Sequence, residues 1–263
     1  MNVVRATATN SLLIMTAIAV LFAASPLAAA DSQYVVLSAE PAAADLPPGK
    51  LFAPSDVINV PAGIVVTLLG EDGNVNTIAG PGAFVVTEDA PITDNRQGAL
   101  AAHEAPSKLA LIAGLLANER RKTESIGGSR TSADQSHTGE SDNPWAVSIE
   151  QSGPGCIRNG EVLLSRKEIG RRAVFALRIG NAEPLNDLIW SAGDTTYLLP
   201  NPLPANVKVL TVETSKTSAL IEIHTLPPAV RLDNPLDVLS WMASAGCERQ
   251  ALALVRQLAK TKR

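Results

Sequence analysis

Hydrophobic positions occur along this chain in three patterns: one continuous run near the start, many short β-branched runs, and stripes at helical spacing. The continuous run spans Leu12 to Ala24, apolar except for Thr16. Arg5 is the only charge before it, and Pro26 breaks it ahead of Ala28-Ala29-Ala30. A positively charged start, an apolar stretch too short to span a bilayer comfortably and a small-x-small site are the anatomy of a secretory signal peptide. Residues 1–30 are therefore expected to be a signal peptide, with the mature chain beginning near Asp31; an uncleaved N-terminal anchor is the alternative. No cysteine lies near the junction to accept a lipid. The expected location is periplasmic or secreted, with no stable membrane insertion after signal cleavage.

The short runs follow. Val57 to Val60, Ile64 to Leu69, Asn74 to Ile78 and Phe84 to Thr87 are separated by Pro61-Ala62-Gly63, Asp72-Gly73 and Gly80-Pro81-Gly82, a spacing that predicts strands joined by turns. Asp-Gly suits a tight hairpin because glycine accepts positive φ without penalty. Leu109, Ile112, Ala113 and Leu116 then recur at helical spacing, with Arg120-Arg121-Lys122 favourable at the C-terminal end of the dipole. Residues 31–119 are thus expected to form a small antiparallel β-roll domain with a trailing helix, most simply a lid on the sheet. Between Arg120 and Asn143 only Ile126 and Ala133 are apolar, too little to offset ordering entropy, and residues 120–143 read as a disordered linker.

Residues 144–263 carry about seven further strand candidates: Trp145 to Ile149, Cys156 to Arg158, Glu161 to Leu164, Arg172 to Ile179, Thr195 to Leu199, Val207 to Thr214 and Ala219 to Thr225. Asn159-Gly160 is the strongest hairpin signal in the chain. Ala173, Phe175, Leu177 and Ile179 alternate with Arg172, Val174, Ala176 and Arg178, which buries one face only. Evenly spaced short strands favour a β-sandwich. The period then changes. Asn234 suits an N-cap, Pro235 suits N1 and Asp237 suits N3 of one helix running to Gly246. Ala251, Leu254, Val255 and Leu258 stripe a second. The fold class expected is mainly β with α additions: a β-roll plus helix, a linker, and a β-sandwich-like domain closed by two C-terminal helices.

One segment carries a resemblance. Pro48-Gly49-Lys50-Leu51, Asp56 to Gly63, Val66-Thr67-Leu68-Leu69, Asp72-Gly73 and Ile78 to Gly82 together resemble the periplasmic repeat of FecR-like proteins over about forty residues. The resemblance implies a β-rich module on the envelope side, serving binding or assembly. Members of that family carry a cytoplasmic helical region and a membrane span before the repeat. This chain has the signal-like segment instead, so transmembrane signalling is not implied.

Cys156 and Cys247 are the only cysteines. In an exported chain a disulfide is the default for such a pair, closing a loop of about ninety residues. Two buried thiols and a redox pair are the alternatives, and no Cys-x-x-Cys spacing supports the last.

Charge and chemistry narrow the function. Removing residues 1–30 takes Lys+Arg from 22 to 21 against 26 Asp+Glu, a mature charge of about −5, which gives no general electrostatic reason to bind nucleic acid. No Gly-x-Ser-x-Gly, Ser-x-x-Lys, His-Glu-x-x-His, P-loop or dinucleotide fingerprint occurs. His103, His137 and His224 have no second ligand at metal spacing. No residue is therefore assigned a catalytic, metal-binding or cofactor-binding role, and no cofactor is expected. Trp145, Trp190, Trp241 and Tyr197 read mainly as core. The stretch from Trp190 to Tyr197, with Asp194 in its loop, is the candidate recognition surface. The function expected is that of an exported, non-catalytic envelope protein binding an envelope protein or cell-wall component in sensing or assembly. The alternative is a cell-wall polymer hydrolase with dispersed carboxylates, Asp187 or Asp194 with Glu222.

Overall fold

The structure is a computed structural model that describes residues 33–87, 107–126 and 141–261, with α1 side chains described as far as Thr123. The signal segment 1–30, His103, His137 and linker residues 127–140 lie outside the described residues. What is described is mainly β with three helices, and residues 31–263 make one compact unit.

The chain opens with β1 (Tyr34–Glu40), β2 (Leu51–Phe52), β3 (Val57–Val60), β4 (Val65–Gly70), β5 (Val75–Ala79) and β6 (Gly82–Val85). They form an antiparallel sheet ordered β2-β1-β4-β5 and a separate β3-β6 pair. Strand β1 is absent from the sequence prediction. Its Tyr-Val-Val-Leu start is continuous rather than alternating because both of its faces are covered. Tyr34 and Val36 join one apolar cluster with Ile58, Val66 and Leu68, whereas Val35 and Leu37 join another. The Asp72-Gly73 turn forms as expected between β4 and β5: Gly73 has φ 86°, and Gly70 N–H donates to the Asn74 carbonyl at 2.9 Å.

That second cluster decides the organisation. It gathers Val35, Leu37 and Leu69 with Leu109, Ile112 and Leu116 of α1 (Lys108–Ile126), Leu239 and Met242 of α2 (Pro235–Ser244), and Ala251 and Val255 of α3 (Glu248–Thr261). The cut expected between residues 119 and 144 therefore does not separate two cores. Helix α1 also continues through residues 120–126, which the sequence assigns to the linker. The physical reason is that the α1 stripe is wider than the sheet alone can cover. It packs on β1 and on α2 together, and Lys108 Nζ reaches Asp237 Oδ1 at 2.6 Å. Asn234 caps α2 by accepting from Asp237 N–H at 3.1 Å, and its Nδ2 donates to the Asp72 carbonyl at 3.1 Å. The cap of a C-terminal helix thus sits on an N-terminal hairpin.

The remaining strands are β7 (Ala146–Ser148), β8 (Gly153–Ile157), β9 (Leu163–Ser165), β10 (Ala173–Ile179), β11 (Leu185–Trp190), β12 (Thr196–Leu198), β13 (Val209–Thr214) and β14 (Ser218–Thr225). They build a sandwich-like pair of sheets, β11-β10-β13-β14-β8 and β12-β9-β7. Val147, Leu164, Phe175, Leu177, Val212 and Ile221 share the core between them. Asn159 and Gly160 take φ 53° and 74°, the mirror-image turn their pairing encodes, but only Arg158 and Glu161 bridge across it. Beyond that pair β8 runs parallel to β14 in one sheet and β9 runs parallel to β7 in the other. The expected hairpin is a corner between layers.

Strand β8 also joins the sandwich to the helices. Ile157 faces the sandwich core, while Cys156 faces the helical cluster and is bonded to Cys247, with a Cα separation of 6.0 Å. The buried Gln250 side chain completes the seam. It accepts from Cys156 N–H at 2.7 Å and donates to the carbonyls of Cys156 at 2.8 Å and Pro144 at 3.1 Å. No helix among the described residues is long and apolar enough to cross a membrane.

Candidate functional site

The topology brings one set of chain ends together at one end of the sandwich. Strand β7 ends there at Ser148, β9 at Ser165, β11 at Trp190 and β13 at Thr214, while β10 and β14 begin there. Between them lies a groove of about 430 Å³, lined by Ile149, Glu150, Arg166, Glu168, residues 171–175, Trp190 and the Thr214–Thr217 turn. That volume is in the range of small-ligand sites.

Arg166 forms the floor. It is 6% exposed, an unusual degree of burial for an arginine. Its Nε donates to the Asp194 carbonyl at 3.3 Å and its Nη2 to the Ser191 carbonyl at 2.6 Å, and its guanidinium lies 5.0 Å from the Trp190 ring centre. Stacking over an indole suits the weakly hydrated, planar guanidinium. Arg171 and Arg172 lie exposed in the same lining, and none of the three arginines forms an ion pair with a carboxylate among the described residues, although the charges of Arg171 and Arg166 act on Glu168.

The two acids in the lining are engaged. Glu168 pairs with Lys216 at 2.6 Å, tying the 166–172 loop to the β13–β14 turn. The hydrogen bond from Lys216, followed by its charge, holds the Glu168 carboxyl below the usual glutamate range. Glu150 accepts from Lys167 N–H at 2.9 Å. The groove consequently presents a surplus of positive charge in a protein whose net charge is negative.

The candidate recognition surface is placed at this end but not as expected. Trp190 is 1% exposed, and its ring packs 5.6 Å from Phe175 and 5.8 Å from Tyr197, while Tyr197 meets Phe175 edge-on at 5.1 Å. These rings are core, because Trp190 closes β11 on its inward side. Of the 190–197 stretch only Trp190 lines the groove, while the backbone carbonyls of Ser191 and Asp194 hold the Arg166 guanidinium. Trp145 and Trp241 stack together elsewhere, 6.4 Å apart, with the Arg158 guanidinium 5.4 Å from the Trp145 ring.

Of the carboxylates in the hydrolytic alternative, Asp187 and Glu222 do not converge on one sheet position, and Asp194 lies in the loop between β11 and β12. Asp187 is on β11 and Glu222 on β14, with β10 and β13 between them. Three strand spacings alone set their backbones at least about 14 Å apart, against the roughly 5–10 Å between carboxyl groups that glycoside hydrolysis uses. Glu222 instead stands 3.8 Å from His224 Nε2 on the outer face of β14. No group of metal-ligating side chains occurs among the described residues.

Sequence reasoning missed Arg166, Arg171, Arg172 and Lys216. The available signal was the charge-dense run Arg166-Lys167-Glu168-Ile169-Gly170-Arg171-Arg172, which read alone is a solvated loop. No family model, curated protein or solved structure matches the chain.

Proposed function

We propose that the mature chain is an exported, non-catalytic protein of the cell envelope that binds an envelope component or protein partner through the groove at the sandwich end. The observation that carries this reading is Arg166: a buried guanidinium lining an open groove, positioned by two carbonyls and an indole ring and not hydrogen-bonded to any carboxylate among the described residues. Elements fixed on two rigid sheets hold it there, which is how a preorganised binding site is made. Export is supported by the sequence of residues 1–30 together with the Cys156–Cys247 bond, since structural disulfides belong to oxidising compartments. The segment that resembles the FecR-like repeat coincides with β2 to β6, and we include an envelope-side assembly or sensing role in the proposal on that basis.

Two measurements test it. N-terminal sequencing of protein from the extracytoplasmic fraction should begin within a few residues of Asp31; an intact Met1 on protein recovered from membranes would refute release by signal cleavage. Co-sedimentation of residues 31–263 with isolated envelope material should be lost on Ser215→Trp, which places a bulky ring in the groove wall at an exposed turn position. Unchanged sedimentation would move the binding site elsewhere.

A further inference from the structure

Resting on the reading that this groove is the binding site, we infer that it is built to hold a carboxylate, with Arg166 as the seat and Arg171 and Arg172 as outer contacts. A guanidinium presents five N–H donors. Two are used within the protein, Nε on the Asp194 carbonyl and Nη2 on the Ser191 carbonyl. The remaining three, both Nη1 hydrogens among them, have no acceptor among the described residues. A charge buried to 6% exposure is costly when no carboxylate hydrogen-bonds to it, and Glu168, the carboxylate whose charge acts on Arg166, is hydrogen-bonded to Lys216 instead. A carboxylate entering from the groove supplies the planar two-oxygen acceptor that the guanidinium fork matches.

Independent features of the same wall agree. Trp190, whose ring centre lies 5.0 Å from the Arg166 guanidinium, has its Nε1–H buried without an acceptor among the described residues. A buried unpaired polar group of this kind calls for a functional explanation. The lining holds four basic residues, Arg166, Arg171, Arg172 and Lys216, against two acids, Glu150 and Glu168, and Glu168 is hydrogen-bonded to Lys216, so positive charge is in surplus. Ile149, Val174 and Phe175 contribute apolar side chains to the lining. That surface suits the aliphatic stem behind a carboxylate better than a fully hydrated phosphate. The ligand class is therefore a carboxylate on an aliphatic carrier, the chemistry of an acidic peptide side chain or chain end.

The test is a titration of ¹⁵N-labelled residues 31–263, the compact unit, followed through the indole Nε1–H signal of Trp190, assigned by its loss in Trp190→Phe. Glutarate, inorganic phosphate and N-acetylglucosamine are added at constant ionic strength set with sodium chloride. The inference predicts a saturable shift with glutarate, half complete at about 1–10 mM, and weakened about tenfold in Arg171→Gln/Arg172→Gln. Both positions are exposed, so the variant keeps its fold, and its amide spectrum verifies that. Saturation by phosphate but not glutarate would overturn the carboxylate assignment, as would a response to glutarate no larger than to chloride. The two readings fail separately. Loss of envelope binding in Ser215→Trp with no glutarate response keeps the groove and removes the carboxylate. Glutarate saturation with envelope binding untouched by Ser215→Trp keeps the seat and removes its proposed role.

Discussion

Gly73→Ala and Asn234→Ala, singly and together, probe whether the N-terminal hairpin and the C-terminal helices share one core. A Cβ placed on Gly73 would lie 2.2 Å from Asn234 Oδ1, 2.5 Å from Cγ and 2.6 Å from Nδ2. The Asn234 amide cannot swing away freely, because Oδ1 accepts from Asp237 N–H and Nδ2 donates to the Asp72 carbonyl. Losing the cap costs about 1 kcal/mol and losing the second hydrogen bond about 1 kcal/mol more, so Asn234→Ala should destabilise by about 2 kcal/mol. Gly73→Ala displaces the same amide and adds roughly 1 kcal/mol for an alanine at φ 86°, about 3 kcal/mol in all. In the double variant the steric conflict is gone and only the backbone strain and the lost amide remain, again about 3 kcal/mol. The two effects should therefore fall short of additivity by about 2 kcal/mol. Urea unfolding followed by far-UV circular dichroism and by tryptophan fluorescence measures all four corners of the cycle. The two probes should coincide, although every tryptophan lies beyond residue 144. Additivity within about 0.5 kcal/mol, or separate transitions by the two probes, would refute the shared core and restore two independent pieces.

Other outcomes follow from the same structure. Replacing Cys156 and Cys247 together by serine opens a closure spanning 91 residues and should cost about 4–5 kcal/mol in the chain-entropy account; a loss under about 1 kcal/mol by denaturant titration would contradict it. Gln250→Leu leaves the Cys156 N–H and the carbonyls of Cys156 and Pro144 without their buried partner, and should lower stability by about 3 kcal/mol or more. Asp237 has its carboxyl held below the ordinary value of 3.8, first by the Lys108 hydrogen bond and then by Arg231. A depressed carboxylate pKa stabilises the fold fully above the unfolded value, and that stability is lost as pH falls through the folded value. Asp237→Asn should therefore flatten the loss of stability below about pH 4, and an unchanged acid limb would show that the two ion pairs contribute nothing.

Much of this fold was legible because its signals were local. The alternation of Phe175 and Leu177 with Val174 and Arg178 gave β10, the order Asn234, Pro235, Asp237 gave the start of α2, and two cysteines gave one disulfide. Signals shared between distant residues were not. Strand β1 has no alternation because it is buried on both faces. Strand β11 was hidden by polar positions: it is an edge strand with a register shift opposite Phe175–Leu177, and Asp187 there takes φ 57°. The partner of the α1 stripe was invisible, since Lys108 meets Asp237 across 129 residues of sequence. The Asn159-Gly160 turn was read correctly, but its strands pair with other partners once two layers are available. The groove suffered most. Arg166 and Lys216 are fifty residues apart, and only the shared ends of β9, β10, β11 and β13 bring them to one wall.

The most direct test of the central claim, that the sandwich-end groove is where this protein binds, is backbone amide shift mapping of residues 31–263 as solubilised envelope material is added. The account predicts changes concentrated at Ile149, Glu150, residues 166–175, Trp190 to Thr195 and Thr214 to Thr217. Changes concentrated on β2 to β6 or along α1, with the groove residues unmoved, would contradict it.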